Sequence, residues 1–400
     1  MTIDYSDFPR RHLFDLAKGL IYLDGNSLGP PVKGSEDIAH SVIDSEWKKE
    51  LISAWNTCGW IELPHTVGNL LAPIIGVSPD TISMGDTLSV KLFQVLAAAV
   101  EMRPKRKVVL TDSGNFPSDL YIANGLLDTL GRGHQLKITK PDQVIKKIND
   151  EVAVVYLTHV DYRTGRQHDM AEITTLAHEC GAVVIWDLAH SAGALPLELE
   201  KIQAEFAVGC TYKYLNGGPG APAFVYVRPD LVSNIRPVMP GWLGHKKPFL
   251  MDIRYTPAKG VGRFRIGTPS VIQFKVLEHA LALWKNVDLY KLYDKSVVLS
   301  ELFIAEMKAR CPSLELISPS DPTQRGSQVS FASKHAYPLI QALIDRKVIG
   351  DFREPNILRF GLAPLYVDEN QVIAAVQILE QVINERVWQQ DKYQTKKKVT

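Results

Sequence analysis

The chain has 400 residues, enough for two domains or one large one around a sizeable buried core. It is 46% hydrophobic and 22% charged with a formal net charge of +1, an ordinary globular composition whose neutrality argues against an extended nucleic-acid footprint. The four cysteines (Cys58, Cys180, Cys210, Cys311) form no CxxC pair, no run approaches the roughly 18 apolar residues of a membrane span, and the N-terminus carries no apolar signal core. A cytoplasmic protein with reduced thiols and no metal site is expected.

Residues 20–23 form a short apolar piece, and Asp24-Gly25-Asn26-Ser27-Leu28-Gly29-Pro30-Pro31 is a turn too polar for core, expected to fold over something. Helical spacing follows through Ile38, Val42, Ile43 and Trp47, then a Trp-rich segment at 55–60 and a second helix around 67–75. From about residue 80, apolar runs alternate with helices. A helix opens at Gly85-Asp86-Thr87-Leu88-Ser89 and runs through Val100, and residues 107–110 are a strand leading into Asp112-Ser113-Gly114-Asn115-Phe116-Pro117-Ser118-Asp119. Residues 152–157 form a strand ending at Thr158-His159, and 171–180 a helix. Residues 182–186 are a fully apolar strand delivering Asp187. A spacer of helix-like composition leads to another apolar run ending in Thr211-Tyr212-Lys213-Tyr214, and 221–227 is one more strand. The alternation predicts an α/β fold with a mostly parallel sheet flanked by helices. In such sheets ligands bind beyond the carboxyl ends of the strands, where Ser89, Asp119, Thr158, Asp187 and Lys213 fall.

Residues 228–268 are rich in Gly and Pro and read as a long irregular, functional or interfacial region. A long helical pattern begins near 271 and runs, with breaks, toward 307. Strands at 314–317, 328–331 and 357–360, with a helix at 336–346 and an amphipathic helix at 369–388, predict a smaller α+β domain. The expected division is a large domain at 50–290 and a small one built from 1–49 and 291–390. The lysine-repeating tail 391–400 is expected to be disordered.

Asp187 and Lys213 lie 26 residues apart (213 − 187). An acid at the end of one buried strand and a lysine just past the next are expected of a pyridoxal 5'-phosphate (PLP) enzyme. Lys213 would hold the cofactor aldehyde as a Schiff base, and Asp187 would keep the pyridine nitrogen protonated. Taken singly, Asp187 is a turn or cap residue and Lys213 a loop residue; their joint placement before Gly217-Gly218-Pro219-Gly220 points to the chemistry. Leu88 and Ser89, at a helix N-terminus, offer donors to a phosphate. Tyr212 could donate to the phosphate or move protons, His190 and Phe116 can lie against the same ligand, and Arg359 offers a planar fork for a carboxylate.

Five stretches resemble the kynureninase family, in that family's order. They are Leu23-Asp24-Gly25-Asn26-Ser27-Leu28-Gly29, Phe116-Pro117-Ser118-Asp119, Asp187-Leu188-Ala189-His190, Tyr212-Lys213-Tyr214-Leu215-Asn216-Gly217-Gly218-Pro219-Gly220 and Gly241-Trp242-Leu243-Gly244-His245. The resemblance spans roughly residues 20–385. It implies the fold-type-I PLP-dependent transferase fold, of the aminotransferase class V-like kind. It also implies a homodimer with active sites at the subunit interface, and neither nucleic acid nor membrane as partner. The implied reaction is hydrolysis of a carbon–carbon bond in a ketone: L-kynurenine to anthranilate and L-alanine, in the tryptophan catabolism that also feeds pyridine nucleotide biosynthesis.

Carried over by residue, Lys213, Asp187 and Tyr212 are catalytic. Leu88, Ser89, Phe116, Pro117, Ser118, Asp119, Thr158 and His190 complete the cofactor pocket. Trp242 and Thr268 resemble residues reaching in from the neighbouring subunit, and Arg359, Trp60 and Asn26 belong to the substrate. Trp60 replaces the histidine of animal members, and Arg265-Ile266-Gly267-Thr268 departs from their Ser-Asn form. Both departures fit the bacterial type and favour kynurenine over 3-hydroxykynurenine. The alternatives are a cysteine desulfurase or another fold-type-I lyase, and a non-catalytic PLP-binding protein. Desulfurases typically have Gln where His190 stands, His directly before the lysine and a mobile catalytic cysteine, whereas Tyr212 precedes Lys213 here. A mere binder needs no Arg359.

Overall fold

The central strands of the main sheet are free of polar interruption, because helices cover both of its faces. The structure, a computed structural model, describes residues 5–397. The sheet strands are β1 (Ile82–Met84), β2 (Val108–Asp112), β3 (Gln135–Thr139), β4 (Val152–Thr158), β5 (Val183–Asp187), β6 (Phe206–Gly209) and β7 (Phe224–Val227). Their spatial order is β1-β7-β6-β5-β4-β2-β3. The run from β6 to β3 is parallel, β7 pairs antiparallel with β6, and β1 pairs antiparallel with β7. Side chains alternate between the two faces. Val155, Leu157, Val184 and Trp186 enter one core cluster, and Val154, Tyr156, Val183 and Ile185 enter the other, with the helix Leu88–Glu101.

A second, antiparallel sheet contains β8 (Glu315–Leu316), β9 (Gln328–Ala332), β10 (Asp351–Arg353) and β11 (Ile357–Gly361), in the order β10-β11-β9-β8. Helices Leu289–Arg310, Ala336–Ile344 and Glu369–Asn384 pack with it. The last begins at a capping box formed by Asp368 and Gln371. Near the N-terminus, Ile21–Tyr22 pairs in parallel with Val348–Ile349 and ties the start of the chain to this second unit.

Two elements, the 188–205 spacer and the tail, differ from the sequence expectation, and the long helical pattern breaks as expected. The spacer 188–205 forms turns rather than a helix: Gly193 takes a φ of 79°, and Pro196 brings no N–H donor. The helical pattern after Val271 ends at Ala282, and a new helix begins at Leu289, capped by the Asp288 side chain. The tail is docked in its first seven residues. Tyr393 is 4% exposed and donates from its hydroxyl to Asp345 at 2.9 Å, while the Tyr337 hydroxyl donates to the Thr395 carbonyl at 3.1 Å. One aromatic anchor thus overrides a polar composition at 391–397, and residues 398–400 lie outside the described residues. Among the described residues, no helix is long and apolar enough to cross a membrane.

Candidate active site

The carboxyl ends of the parallel strands bring the predicted groups to one edge. Thr158 and Asp187 are register partners on β4 and β5. The Asp187 carboxylate accepts from the Ala189 N–H at 2.9 Å and from the Thr158 hydroxyl at 3.3 Å. Thr158 also donates to Asn115, whose side-chain oxygen accepts from the Phe116 N–H at 2.8 Å. The loop after β2 is therefore fastened to the strand that ends beside Asp187. Burial raises the pKa of Asp187, against the opposing pull of the Lys213 charge. Asp119, in the first turn of the helix Pro117–Leu130, is raised well above the carboxylate range by burial and then by the Asp187 charge. Its Oδ2 has no partner among the described residues. Two carboxyl groups in one dry site oppose each other's ionisation, and the stronger upward push falls on Asp119.

Lys213 follows β6 through Cys210, Thr211 and Tyr212. Its Nζ donates to His190 Nε2 at 2.8 Å. Burial lowers the Lys213 pKa, partly offset by Cys210 and Asp187, and burial plus the Lys213 charge takes His190 well below its ordinary value. The amine is thus held next to a neutral imidazole and is more readily deprotonated than a surface lysine. Cys210 and burial push the Tyr212 phenol upward, so it keeps its proton at neutral pH.

The turn after Leu23 folds over this loop as expected. The Gly29 N–H donates to the Tyr212 carbonyl at 2.8 Å, and the Asn216 amide donates to the Pro30 carbonyl at 3.0 Å. A Cβ at position 29 would stand 2.2 Å from the Lys213 carbonyl oxygen, so only glycine permits the approach.

A cavity of about 270 Å³ opens beyond these strand ends. Lys213, Tyr212, Asp187, His190 and Thr158 line it from the sheet edge. Phe116, Ser118 and Asp119 close one side, and Leu88 and Ser89 the other. Phe116 is 43% exposed and meets Tyr162 edge-on at 4.9 Å. The first-turn N–H groups of the helix Leu88–Glu101 have no side-chain cap, which leaves donors for an anion. Tyr162 and Cys210 also line the cavity and were not singled out from sequence.

Arg359, Asn26, Trp60, Trp242, Thr268 and Pro117 do not line the cavity. Trp60 is buried elsewhere, with its indole N–H donating to Glu46 at 2.5 Å, while Trp242 and Thr268 are exposed. Asn26 is fully buried against Gly361, near a polar cluster around Arg359. Arg359 donates to Asp351 from Nε at 2.7 Å, to the Ser27 hydroxyl at 2.6 Å and to the Tyr162 carbonyl at 2.6 Å. Arg353 shares the cluster, reaching Ser27 at 3.0 Å and Asp351 at 2.7 Å. Sequence spacing held a signal for this pair: six residues apart across a turn, the two arginines fall on one face of a hairpin.

Asp24 adjoins the cluster. Burial and the neighbouring Asp351 push its carboxyl up to about 8, against the arginines. The folded chain therefore holds a proton on Asp24 that the unfolded chain releases near 3.8. Its contribution to stability is full below the unfolded value and is lost as pH rises through about 8. Asp24→Asn should flatten that part of the stability profile, measured as denaturant midpoints on both sides of the window. An unchanged slope would contradict the assignment.

The family model described as "Kynureninase C-terminal domain" matches residues 292–379. A curated kynureninase of Pseudomonas fluorescens is 45% identical over 399 residues, covering 98% of this chain and 96% of its own length. A kynureninase of Burkholderia mallei (strain SAVP1) is 43% identical with the same coverage. Among solved structures, C-DES with glycine covalently linked to its PLP cofactor superimposes with a TM-score of 0.79 at 19% identity, covering 93% of this chain and 99% of that one. A cysteine desulfurase from Thermococcus onnurineus NA1 gives 0.78 at 18% identity, covering 94% and 98%. These distant likenesses establish the PLP fold-type-I architecture, and the near full-length identities establish more. The chain belongs to the kynureninase family.

Proposed function

We propose that this protein is a hydrolase that cleaves the Cβ–Cγ bond of L-kynurenine to anthranilate and L-alanine, with PLP in the Lys213 cavity. The observation that carries this reading is the buried Lys213 amine and the buried Asp187 carboxylate lining one cavity, in a chain 45% identical to a kynureninase. The residues fit the cofactor. Asp187 lies buried where a ring N–H would pair with it, Phe116 offers an aromatic face, and Leu88 and Ser89 offer helix N-terminal donors to a phosphate.

When bound, PLP supplies an electron sink for the substrate's α-carbon. Lys213 Nζ, with its lowered pKa, is the base that takes the α-proton. Water then adds to the γ-carbonyl, the Cβ–Cγ bond breaks with its electrons going to Cβ, and the Tyr212 hydroxyl delivers the proton there. Nζ finally returns the proton to the α-carbon to complete L-alanine, and His190 steadies Nζ between these steps. Arg359 takes the α-carboxylate, while Asn26 packs behind that arginine cluster and Trp60 lies away from the cavity.

In this reading the active form is a homodimer in the cytoplasm. Exposed Phe249, Leu250, Met251 and Ile253 support it, because a second copy would cover that apolar surface and bring Trp242 and Thr268 to the partner's cavity. The division into 50–290 and 1–49 with 291–390 belongs to the same reading. A desulfurase is not favoured: Cys311 is buried at the end of a helix, and Cys210 sits in the fixed stretch after β6.

The test is PLP-loaded protein mixed with L-kynurenine while anthranilate fluorescence and alanine are followed. Equal yields of the two products are expected. Loaded protein that releases neither sinks the proposal, and sulfide release from cysteine would favour a desulfurase.

A further inference from the structure

We infer that Arg353 is a second arm of the carboxylate clamp, so that the substrate's α-carboxylate sits between Arg353 and Arg359. This rests on the substrate reading above. A guanidinium has five N–H donors. Arg359 has four in use, on Asp351 through Nε and Nη2, on Ser27 through Nη2 and on Tyr162 through Nη1. One donor remains, too few for a two-pronged grip on a carboxylate. Arg353 is differently placed. Its contacts to Ser27 and Asp351 both run through Nη2, and its buried Nε has no partner among the described residues. Its side chain is 35% exposed, against 1% for Arg359.

Charge leads to the same place. Two arginines face one ionised partner, Asp351, while Asp24 stays protonated at neutral pH. The cluster is left with one positive charge, which one carboxylate neutralises. Both guanidinium charges lower the pKa of Lys213 and of His190, so the cluster lies close enough to the cavity for its charge to be felt there. Tyr162 joins the two places, lining the cavity while its carbonyl holds Arg359. Asp351 and Ser27 thereby act as positioning groups that fix the spacing of the two forks.

The test compares the holoenzyme with Arg353→Gln and Arg353→Lys, using L-kynurenine as substrate and its α-carboxamide as a competitive inhibitor. Arg353→Gln should raise KM for L-kynurenine about 10- to 100-fold with kcat changed less than about threefold. The carboxamide's inhibition constant should stay within about threefold, because it carries no charge to lose. Arg353→Lys should recover part of the loss. An unchanged KM in Arg353→Gln, or equal losses for substrate and carboxamide, overturns the inference in favour of a merely structural arginine. Wild-type protein that makes no anthranilate defeats the substrate assignment itself; normal wild-type turnover beside an unaffected variant defeats the clamp alone.

Discussion

Lys213→Ala lowers turnover by at least about 10³- to 10⁴-fold while leaving the fold in place, because one amine serves as both cofactor anchor and proton acceptor. The fold survives for a physical reason. Burying this amine disfavours its charged form, and its hydrogen bond goes to a neutral imidazole, so truncation strands no ion at His190. Asp187 does lose an opposing charge, which moves its already raised pKa further up. Anthranilate release measures the first effect, and a thermal melt close to that of the parent measures the second. Borohydride treatment of the loaded parent should fix the cofactor to the peptide containing position 213, and the variant should give no such peptide. Near-normal turnover in the variant would end the assignment of Lys213.

Arg359→Ala should destabilise the protein by about 3 kcal/mol, because Asp351 would stay buried with its main counter-ion removed. From sequence alone this substitution is a probe of substrate binding. The structure makes it a probe of folding as well, since Arg359 and Asp351 are 1% and 2% exposed and face each other across the β10–β11 pair. Arg353 still reaches Asp351 and softens the loss. The pairing holds the Asp351 pKa below the carboxylate range despite burial, so the stabilisation is present at neutral pH and lost as acid protonates Asp351. Denaturant midpoints check the effect. The double variant Asp351→Asn, Arg359→Gln should regain part of the stability, since no unpaired charge remains. A weaker affinity with an unmoved midpoint would show that Asp351 does not depend on this arginine.

Legibility followed the strength of local patterns. β4 and β5 were readable because every residue in them is apolar up to the terminal Thr158 and Asp187, and those two polar ends marked the site. β3 was not, because an edge strand with polar residues and a lysine resembles a loop. The turns at 188–205 were misjudged because composition favoured a helix while Gly193 and Pro196 dictated otherwise. At the site, chemistry bound to one strand end, such as Lys213, was visible in one dimension. The joining of Asp24 and Ser27 to Asp351, Arg353 and Arg359 was not, because the hydrogen bonds of Ser27 to that hairpin join positions over 300 residues apart.

The Gly29 contact with the Lys213 loop has a consequence for biosynthesis. Residues 24–31 leave the ribosome well before their docking surfaces at 212–216 and 351–361. The 24–31 turn gains one part of its seat with the Lys213 loop and the rest only with the second sheet. Nascent protein arrested before the second sheet would own the main sheet and its lysine but only part of the contacts that hold the turn above it, so maturation of the pocket waits for that second sheet.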